Sequence, residues 1–386
     1  MFRTMATAAL ATAAFALLSA HAGAQAQQPI KIGSFLAITG GASFLGDPEA
    51  KTLKLYVETL NKFGGVNGRK LELVVYDSAG DAKQAAAFAK RLIEDDKVDI
   101  LIAGSTTGET MAVVPMVEQE KIPFISLAGA SVVVEPAKDR KHVFKTPHSD
   151  RLAVQKIYED MKPRGIIQVA ILGGSGGFDQ SCRKNANELA QIMGMKIVAD
   201  ETYAPTDSDI TPQLTKIKNT AGVQGIVGCG FGAVTAITAK NYKQLGMTTP
   251  FYFNHGVASK QFITGAAGGA EGMRLPAAAL LVAAQLPNSD PQKAPGLAYT
   301  KAYTEAYKED ISTFGGHAYD ALMLAVDAIK RAGGTDKAKV RDALEATKNF
   351  IGLDGIFTMS PTDHNGLDSA SFKMVEVKNN DWSLMK

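Results

Sequence analysis

The sequence predicts an α/β protein of two lobes, each built on a parallel sheet. From Ile30 onward, short apolar runs of β type alternate with longer runs at helical spacing, which is typical of strands joined by helices. The same alternation begins again after Pro147. The 386 residues also exceed the ~250 to 300 at which a single hydrophobic core stops growing. We therefore expect two lobes joined by a hinge of several strands.

The N-terminus predicts export from the cytoplasm. Arg3 precedes an apolar run over residues 5–20, and small residues follow up to Ala24 and Ala26. A cationic end, a short apolar run and an Ala-x-Ala site form the pattern of a secretory signal peptide. The run is shorter than the ~20 residues that a membrane-spanning helix needs. We assign residues 1–26 to a signal peptide, cleaved after Ala24 or Ala26, and expect a periplasmic protein.

The first half of the mature chain reads as strands joined by helices. Asp81 suits a helix N-cap, and Gly64-Gly65 suits a helix stop followed by a turn. Parallel strands are the economical topology for such a chain, because their connections need room for a helix. The predicted strands are 30–36, 71–76, 100–103 and 124–127, and the predicted helices are 49–63, 81–94 and 110–120.

The second half repeats this organisation, and a third part follows from Gly272. That third part is too small for another α/β domain, so we expect it to return to the first lobe and to finish in the second. The predicted lobes are 27–147 with about 277–368, and 148–276 with about 369–386. Ligands bind beyond the carboxyl ends of the strands in open α/β sheets, so the two lobes would enclose one cleft. The remaining predicted strands are 166–172, 196–203, 225–229, 251–254, 355–359 and 372–377, and the remaining helices are 179–193, 210–219, 233–245, 259–264, 294–309, 317–331 and 337–348.

Charge and cysteine content exclude some functions and leave others open. Lysine plus arginine number 41 against 39 for aspartate plus glutamate, and no basic patch indicates a nucleic-acid partner. Cys182 and Cys229 are the two cysteines. They either form one disulfide in an oxidising compartment or remain two small buried residues. The sequence leaves that choice open.

One motif raises the possibility of an enzyme. Residues 173–177 read Gly-Gly-Ser-Gly-Gly, the pattern of the nucleophile elbow that presents a serine in α/β-hydrolases. No His-Gly-Gly segment precedes it, and no motif places an acidic partner beside His255, His317 or His364. Neither glycine fingerprint for nucleotides occurs, and the six histidines lack the spacing of metal ligands. We therefore expect no catalysis, no cofactor and no metal.

Several segments, in the right order along the mature chain, resemble the branched-chain amino acid binding proteins of ABC transporters. The resemblance implies a type I periplasmic binding fold, with Rossmann-like lobes that close like a Venus flytrap. It also implies delivery of the ligand to a membrane permease with ATPase subunits, and we expect a monomer. The segments include Thr39-Gly40-Gly41, Asn61-Lys62-Phe63-Gly64-Gly65-Val66-Asn67-Gly68, Tyr76-Asp77-Ser78, Phe144-Lys145-Thr146 and Ala318-Tyr319-Asp320-Ala321.

The resemblance also implies where ligand contacts lie. The loop from Ser105 follows a strand and opens a helix, so its hydroxyls and free N–H groups can bind an anion, although most such clusters are ordinary N-caps. In the second lobe, the family's aromatic contacts fall on Phe178 and on Phe231 or its neighbour Gly232. His255 occupies the position of the acidic residue that holds the ligand's ammonium. The first-lobe contacts fall on Leu45, Ser105, Thr106, Thr107, Gly108, Ala128, Gly129, Ala130 and Ser131.

The histidine at position 255 changes the expected ligand. An unpaired buried ammonium costs ~3 to 5 kcal/mol, and neither a neutral nor a protonated imidazole offsets it. We therefore expect a small organic acid without an α-ammonium group, namely an aromatic carboxylate of the benzoate or phenylpropenoate type. The alternative is that Glu109 or Asp179 reaches the ammonium and that the ligand is a branched-chain or other amino acid. A ligand-sensing receptor or an α/β-hydrolase is a more distant alternative.

Overall fold

The computed structural model describes residues 28–385, and the predicted signal peptide lies outside them. Two large sheets organise this part of the chain, with helices packed on their faces, and a third sheet has two strands. The strands are β1 Ile30–Leu36, β2 Leu71–Asp77, β3 Ile100–Ala103, β4 Phe124–Ser126, β5 Val143–Lys145, β6 Gln168–Gly174, β7 Lys196–Tyr203, β8 Gly225–Cys229, β9 Phe251–Phe253, β10 Arg274–Ala277, β11 Phe350–Ile351, β12 Ile356–Phe357, β13 Lys373–Lys378 and β14 Asp381–Leu384. The α-helices are α1 Ser43–Lys62, α2 Ala82–Glu94, α3 Thr107–Glu120, α4 Asp150–Met161, α5 Gly177–Met193, α6 Thr211–Asn219, α7 Ala233–Gln244, α8 Lys260–Gly265, α9 Lys293–Tyr307, α10 Thr313–Ala332 and α11 Lys337–Glu345.

The first lobe is built on a fully parallel sheet in the order β2-β1-β3-β4-β5. Its inner strands β3 and β4 are buried along their whole length, because helices cover both faces of a parallel sheet. The helix α2 begins where Asp81 accepts hydrogen bonds from the backbone N–H groups of Lys83 and Gln84. The N-cap predicted at Asp81 is therefore confirmed.

The second lobe is built on a sheet in the order β14-β13-β10-β9-β8-β6-β7. Strands β6 to β10 run parallel, whereas β13 and β14 join antiparallel at the edge. Cys182 in α5 and Cys229 at the end of β8 form a disulfide, which resolves the choice that the sequence left open. The α/β fold of two lobes expected from the sequence is confirmed, with an antiparallel edge that the sequence analysis did not include.

Within residues 28–385 the chain passes between the lobes three times. It leaves the first sheet after β5, returns between β10 and α10, and enters the second sheet again before β13. The helix α10 lies in the hydrophobic core of the first lobe, with Ala318, Leu322 and Ala325 packed in the same cluster as Ile30 and Ile32. These three connections form the hinge. No helix in this part of the chain has the length and apolarity to cross a bilayer.

Some element boundaries differ from the prediction. The helix α1 begins at Ser43 rather than at residue 49, with Pro48 inside its N-terminal part, where the missing N–H removes one backbone hydrogen bond. The strand β10 was not predicted, because Pro276 normally argues against a strand. Pro276 lies opposite Met374 in the pair with β13. The elements β5, α4 and β14 were also absent from the prediction.

Candidate functional site

A cleft lies between the two lobes, at the carboxyl ends of strands from both sheets. Its empty space measures about 390 Å³, part of it open to solvent. The residues that line it are Leu45, Ser105, Thr106, Thr107, Leu127, Gly129, Pro147, Phe178, Phe231, His255, Gly256, Phe314 and His317.

The first lobe contributes a wall of hydroxyl groups at the N-terminus of α3. Thr106 is the N-cap, and its side chain and that of Glu109 form a reciprocal capping box. The Oγ1 of Thr107 is buried without a hydrogen-bond partner among residues 28–385. A buried hydroxyl without a partner is costly. A ligand oxygen in the cleft would satisfy it, and the helix dipole favours a negative charge there.

The second lobe contributes an apolar wall of rings. Phe178 meets Phe231 edge to face with ring centroids 5.8 Å apart, and it meets His255 in the same way at 5.5 Å. Leu45 and Phe314, from the first lobe, pack in one cluster with Phe231. The cleft therefore pairs a polar wall with an apolar wall, a combination that suits a carboxylate on an apolar body.

Gly129 allows the two walls to approach each other. A Cβ atom at this position would lie 2.9 Å from the Nε2 of His255 and 2.9 Å from a ring carbon of Phe178. Both distances are shorter than a normal contact, so a side chain at residue 129 would force one of these rings to move. Glycine lets the backbone of the first lobe contact the rings of the second.

Both histidines that line the cleft are neutral. Burial, reinforced by the charge of Lys145, lowers the pKa of His255 well below its usual value and that of His317 to about 3. The Nδ1 of His317 lies 2.7 Å from the Oδ2 of Asp354. Burial also raises the pKa of Asp354 well above its usual value, although the charge of Lys145 acts in the opposite direction. No sequence motif places an acidic partner beside His317, because that partner, Asp354, lies 37 residues away along the chain.

Within the described residues, no aspartate or glutamate lines the cleft. Glu109 and Asp179, the two acids considered as partners for an ammonium, form hydrogen bonds with other groups of the protein. Glu109 accepts hydrogen bonds from the hydroxyl of Ser78 and from the backbone of Thr106. Asp179 accepts one from the backbone of Gly176, and burial raises its pKa to about 6. The cleft walls thus carry no carboxylate that could pair with an ammonium.

Eight of the residues implied by the resemblance line the cleft: Leu45, Ser105, Thr106, Thr107, Gly129, Phe178, Phe231 and His255. Five do not. Gly108 is an exposed residue of α3, and Ala128 and Ala130 lie in the core of the first lobe. The Oγ of Ser131 accepts a hydrogen bond from Asn185 instead, and Gly232 is the N-cap residue of α7.

Sequence reasoning missed five lining residues, namely Leu127, Pro147, Gly256, Phe314 and His317. Leu127, Pro147 and Gly256 adjoin segments that the sequence analysis had already singled out, so proximity to those segments was the available signal. Phe314 and His317 come from the start of α10. No local motif marks them, because only the return of the chain to the first lobe brings them to the cleft.

The serine of the Gly-Gly-Ser-Gly-Gly segment lies outside the cleft lining. Ser175 is exposed between β6 and α5, and its backbone carbonyl accepts a hydrogen bond from Gln180. Within residues 28–385 no histidine forms a hydrogen bond to it, and no cluster of potential metal ligands occurs. The hydrolase arrangement of nucleophile and base is not assembled around this serine.

A two-lobed α/β fold with a cleft between the lobes is that of the type I periplasmic binding proteins. The chain belongs to the periplasmic binding protein family, whose model matches residues 29–381. It is 27% identical over 343 residues to a leucine-, isoleucine-, valine-, threonine- and alanine-binding protein of Pseudomonas aeruginosa, covering 88% of this chain and 87% of that protein. The resemblance stated from the sequence motifs is thereby confirmed.

Solved structures show the same fold. An extracellular ligand-binding receptor from Rhodopseudomonas palustris superimposes with a TM-score of 0.86 at 26% identity, covering 92% of this chain and 99% of that one. A branched-chain amino acid transporter substrate binding protein from Streptococcus pneumoniae, solved with isoleucine, gives a TM-score of 0.78 at 24% identity, with 92% and 100% covered. At that identity the second match supports the fold alone.

Proposed function

We propose that this protein is a periplasmic solute-binding receptor of an ABC uptake transporter that binds a small organic carboxylate between its lobes. The cleft carries this proposal, because hydroxyl groups at the N-terminus of α3 face an apolar wall of rings across it. Its partners would be a membrane permease and ATPase subunits, and it would release the ligand unchanged. Family membership supports the periplasmic location.

Two ligand classes fit a carboxylate site, and different observations favour each. The names of the relatives favour a branched-chain amino acid. The lining of the cleft favours an acid without an ammonium group, such as a benzoate or a phenylpropenoate. No acidic side chain lines the cleft within residues 28–385, and His255 is neutral. We propose the second class from this geometry, with the amino acid as the alternative.

Calorimetric titration of ligand-stripped protein with L-leucine, L-isoleucine, L-valine, benzoate, 4-hydroxybenzoate and p-coumarate separates the two classes. The proposal expects at least one aromatic acid to bind and the amino acids to bind far more weakly. Tight leucine binding with no response to the aromatic acids would overturn the aromatic-acid proposal and support the alternative. If none of the six compounds bound, the carboxylate proposal would fail for both classes.

The role of His255 is tested by a pair of variants. His255→Glu places a carboxylate in the cleft, which repels an aromatic acid and could pair with an ammonium. Aromatic-acid affinity should therefore fall at least about tenfold, since like charges brought together in an interface cost several kcal/mol. His255→Gln keeps a neutral donor and serves as the matched control, for which we expect a smaller loss. Equal losses in the two variants would contradict a role for charge.

A further inference from the structure

Two polar neighbours contact Ser105 from behind the cleft wall. Its Oγ accepts a hydrogen bond from the backbone N–H of Ala37 at 3.0 Å, and it lies 2.5 Å from the Oε2 of Glu49 in α1. Ser105 lines the cleft and is 4% exposed. Since a hydroxyl has one hydrogen to donate and two lone pairs, these two neighbours decide what Ser105 can offer to a ligand.

Glu49 is a buried carboxyl group without a cationic partner. It is fully buried, and its Oε1 has no hydrogen-bond partner among residues 28–385. No lysine, arginine or histidine within this range forms an ion pair with it. A charged carboxylate in such a place costs several kcal/mol. Burial therefore raises the pKa of Glu49 well above its usual value, and the hydrogen bond from Ser105 offsets only part of that effect.

The charged groups on the neighbouring elements do not neutralise Glu49. From α3, the carboxyl of Glu109 acts on it and raises its pKa further. On α1 itself, Lys51 pairs with Asp47 and with Glu309. On α9 and α10, Tyr299 forms a hydrogen bond with Thr52, and His317 forms one with Asp354.

The protonation state of Glu49 decides the direction of the Ser105 hydroxyl. If Glu49 is ionised, Ser105 must donate its hydrogen to the Oε2 of Glu49, and only a lone pair is left to face the cleft. If Glu49 is protonated, its O–H can donate to the Oγ of Ser105 while Ala37 donates to the other lone pair. The hydrogen of Ser105 is then free to point into the cleft.

We propose that protonated Glu49 acts as a positioning residue, which turns Ser105 into a hydrogen-bond donor for the ligand's carboxylate, and that ionisation of Glu49 switches Ser105 to an acceptor and weakens binding. This inference rests on the proposed function, because it requires a carboxylate in the cleft. It holds for an aromatic acid and for an amino acid alike, since both carry that group. Binding and proton retention on Glu49 are then linked, and affinity falls as pH rises through the pKa of Glu49 in the ligand-free protein.

Infrared spectroscopy of the ligand-free protein tests the protonation state directly. The difference spectrum between the wild type and Glu49→Gln should contain the C=O band of a protonated carboxyl group at neutral pH. Glu58→Gln, an exposed glutamate on the same helix, is the matched control and should leave the band in place. Absence of the band from the wild-type minus Glu49→Gln difference would overturn the proposal, whether or not any ligand has been found.

Calorimetry with benzoate and with L-leucine between pH 5.5 and 9 tests the switch. In the wild type, Kd for whichever of these probes binds should rise with pH once Glu49 ionises, by up to about tenfold per unit for one linked proton. Glu49→Gln donates an amide N–H to Ser105 and cannot ionise, so its Kd should match the wild type at low pH and lack the rise. A Glu49→Gln protein that keeps the wild-type pH profile would overturn the switch.

A serine pair completes the test. Ser105→Ala should raise Kd by about ten- to a hundredfold at low pH, the value of a hydrogen bond to a charged group, and should abolish the pH dependence. Ser34→Ala removes a buried hydroxyl that bonds to the carbonyl of Ile102 outside the cleft lining, and it should keep the wild-type profile. If neither benzoate nor L-leucine bound, the proposed ligand classes would be wrong. The infrared result would still show whether Glu49 is protonated.

Discussion

Gly129 shows how one residue can set the distance between two lobes. It lies in the wall of the first lobe and directly faces His255 and Phe178 of the second. Gly177 provides a comparison across the same gap, because a Cβ atom there would lie 3.6 Å from the side chain of Thr107, an ordinary van der Waals distance. A side chain therefore has no room at residue 129, whereas a methyl group has room at residue 177.

Gly129→Ala should weaken ligand binding by about tenfold, because overpacking typically costs 1 to 3 kcal/mol, and the added methyl group would hold the rings of the second lobe away. Gly177→Ala is the matched control and should change Kd by less than about threefold, since its methyl group meets no clash. Calorimetry on both variants measures the difference. Equal affinities for Gly129→Ala and the wild type would contradict the close approach of the walls.

Lys145 is a buried cation at the end of β5, where the hinge begins, and it should make stability depend on pH. Its Nζ donates to the carbonyls of Gly129, Ala130 and His148, yet burial lowers its pKa to about 8. Between that value and the ~10.4 of an unfolded lysine, the unfolded chain binds more protons than the folded one. The stability contributed by this group therefore increases as pH rises through that window.

The test compares the wild type with Lys145→Met by urea unfolding at pH 7 and pH 9.5. The free energy of unfolding of the wild type should increase relative to that of the variant at the higher pH. Lys54→Met, which removes an exposed charge from α1, controls for the loss of a lysine. A constant difference between the wild type and Lys145→Met at both pH values would contradict the lowered pKa.

At the scale of elements, Asn185 of α5 forms hydrogen bonds that link the lobes. The Nδ2 of Asn185 donates to the Oγ of Ser131 at 3.2 Å and to the Oδ1 of Asp150 at 3.1 Å. Ser131 follows β4 of the first lobe, whereas Asp150 begins α4 of the second. The pair of bonds holds the loop of one lobe against the helices of the other.

Asn185→Ala should favour the open arrangement and raise Kd about fivefold, the value of one net hydrogen bond of ~1 kcal/mol. Asn187→Ala is the matched control, because the Nδ2 of Asn187 bonds only to the carbonyl of Arg183 within α5. Stopped-flow measurement of ligand dissociation should show a faster rate for Asn185→Ala alone. Identical rates for the two variants would contradict a bond between the lobes.

The elements that the sequence predicted well are those whose own residues determine them. The bounds of β1, β3, β7 and β8 match the prediction, because an apolar run flanked by turn residues is a local signal. By contrast, β10 contains Pro276 and depends on its partner β13. Tertiary pairing stabilises such a strand, and no local pattern reveals it.

The site was predictable in part, and for the same reason. The hydroxyl loop at Ser105 and the aromatic residue at Phe178 follow strands, so their position at a carboxyl edge could be inferred. The roles of Glu49 and His317 could not be inferred from the sequence. Glu49 has the sequence context of an ordinary helix residue, and the partner of His317 lies in the segment after β11. Only the folded chain brings Glu49 to Ser105 and Asp354 to His317.

At the scale of the whole molecule, the lobes meet across the cleft through ring contacts and hydrogen bonds. The rings of Phe44 and Phe231 lie 6.1 Å apart, and the hydroxyl of Thr313 donates to the carbonyl of Ala258 at 3.4 Å. Polar contacts and small apolar contacts of this kind stabilise a domain interface only modestly. A ligand that contacts both walls would therefore supply much of the free energy that keeps the lobes closed.

Small-angle X-ray scattering, with and without a saturating carboxylate ligand identified by calorimetry, tests the central claim most directly. The account predicts a smaller radius of gyration for the liganded protein, because the ligand joins the hydroxyl wall of one lobe to the ring wall of the other. Gly129→Ala should show a smaller decrease under the same conditions. A scattering profile of the wild type that stays unchanged at saturation would contradict a receptor that closes around its ligand.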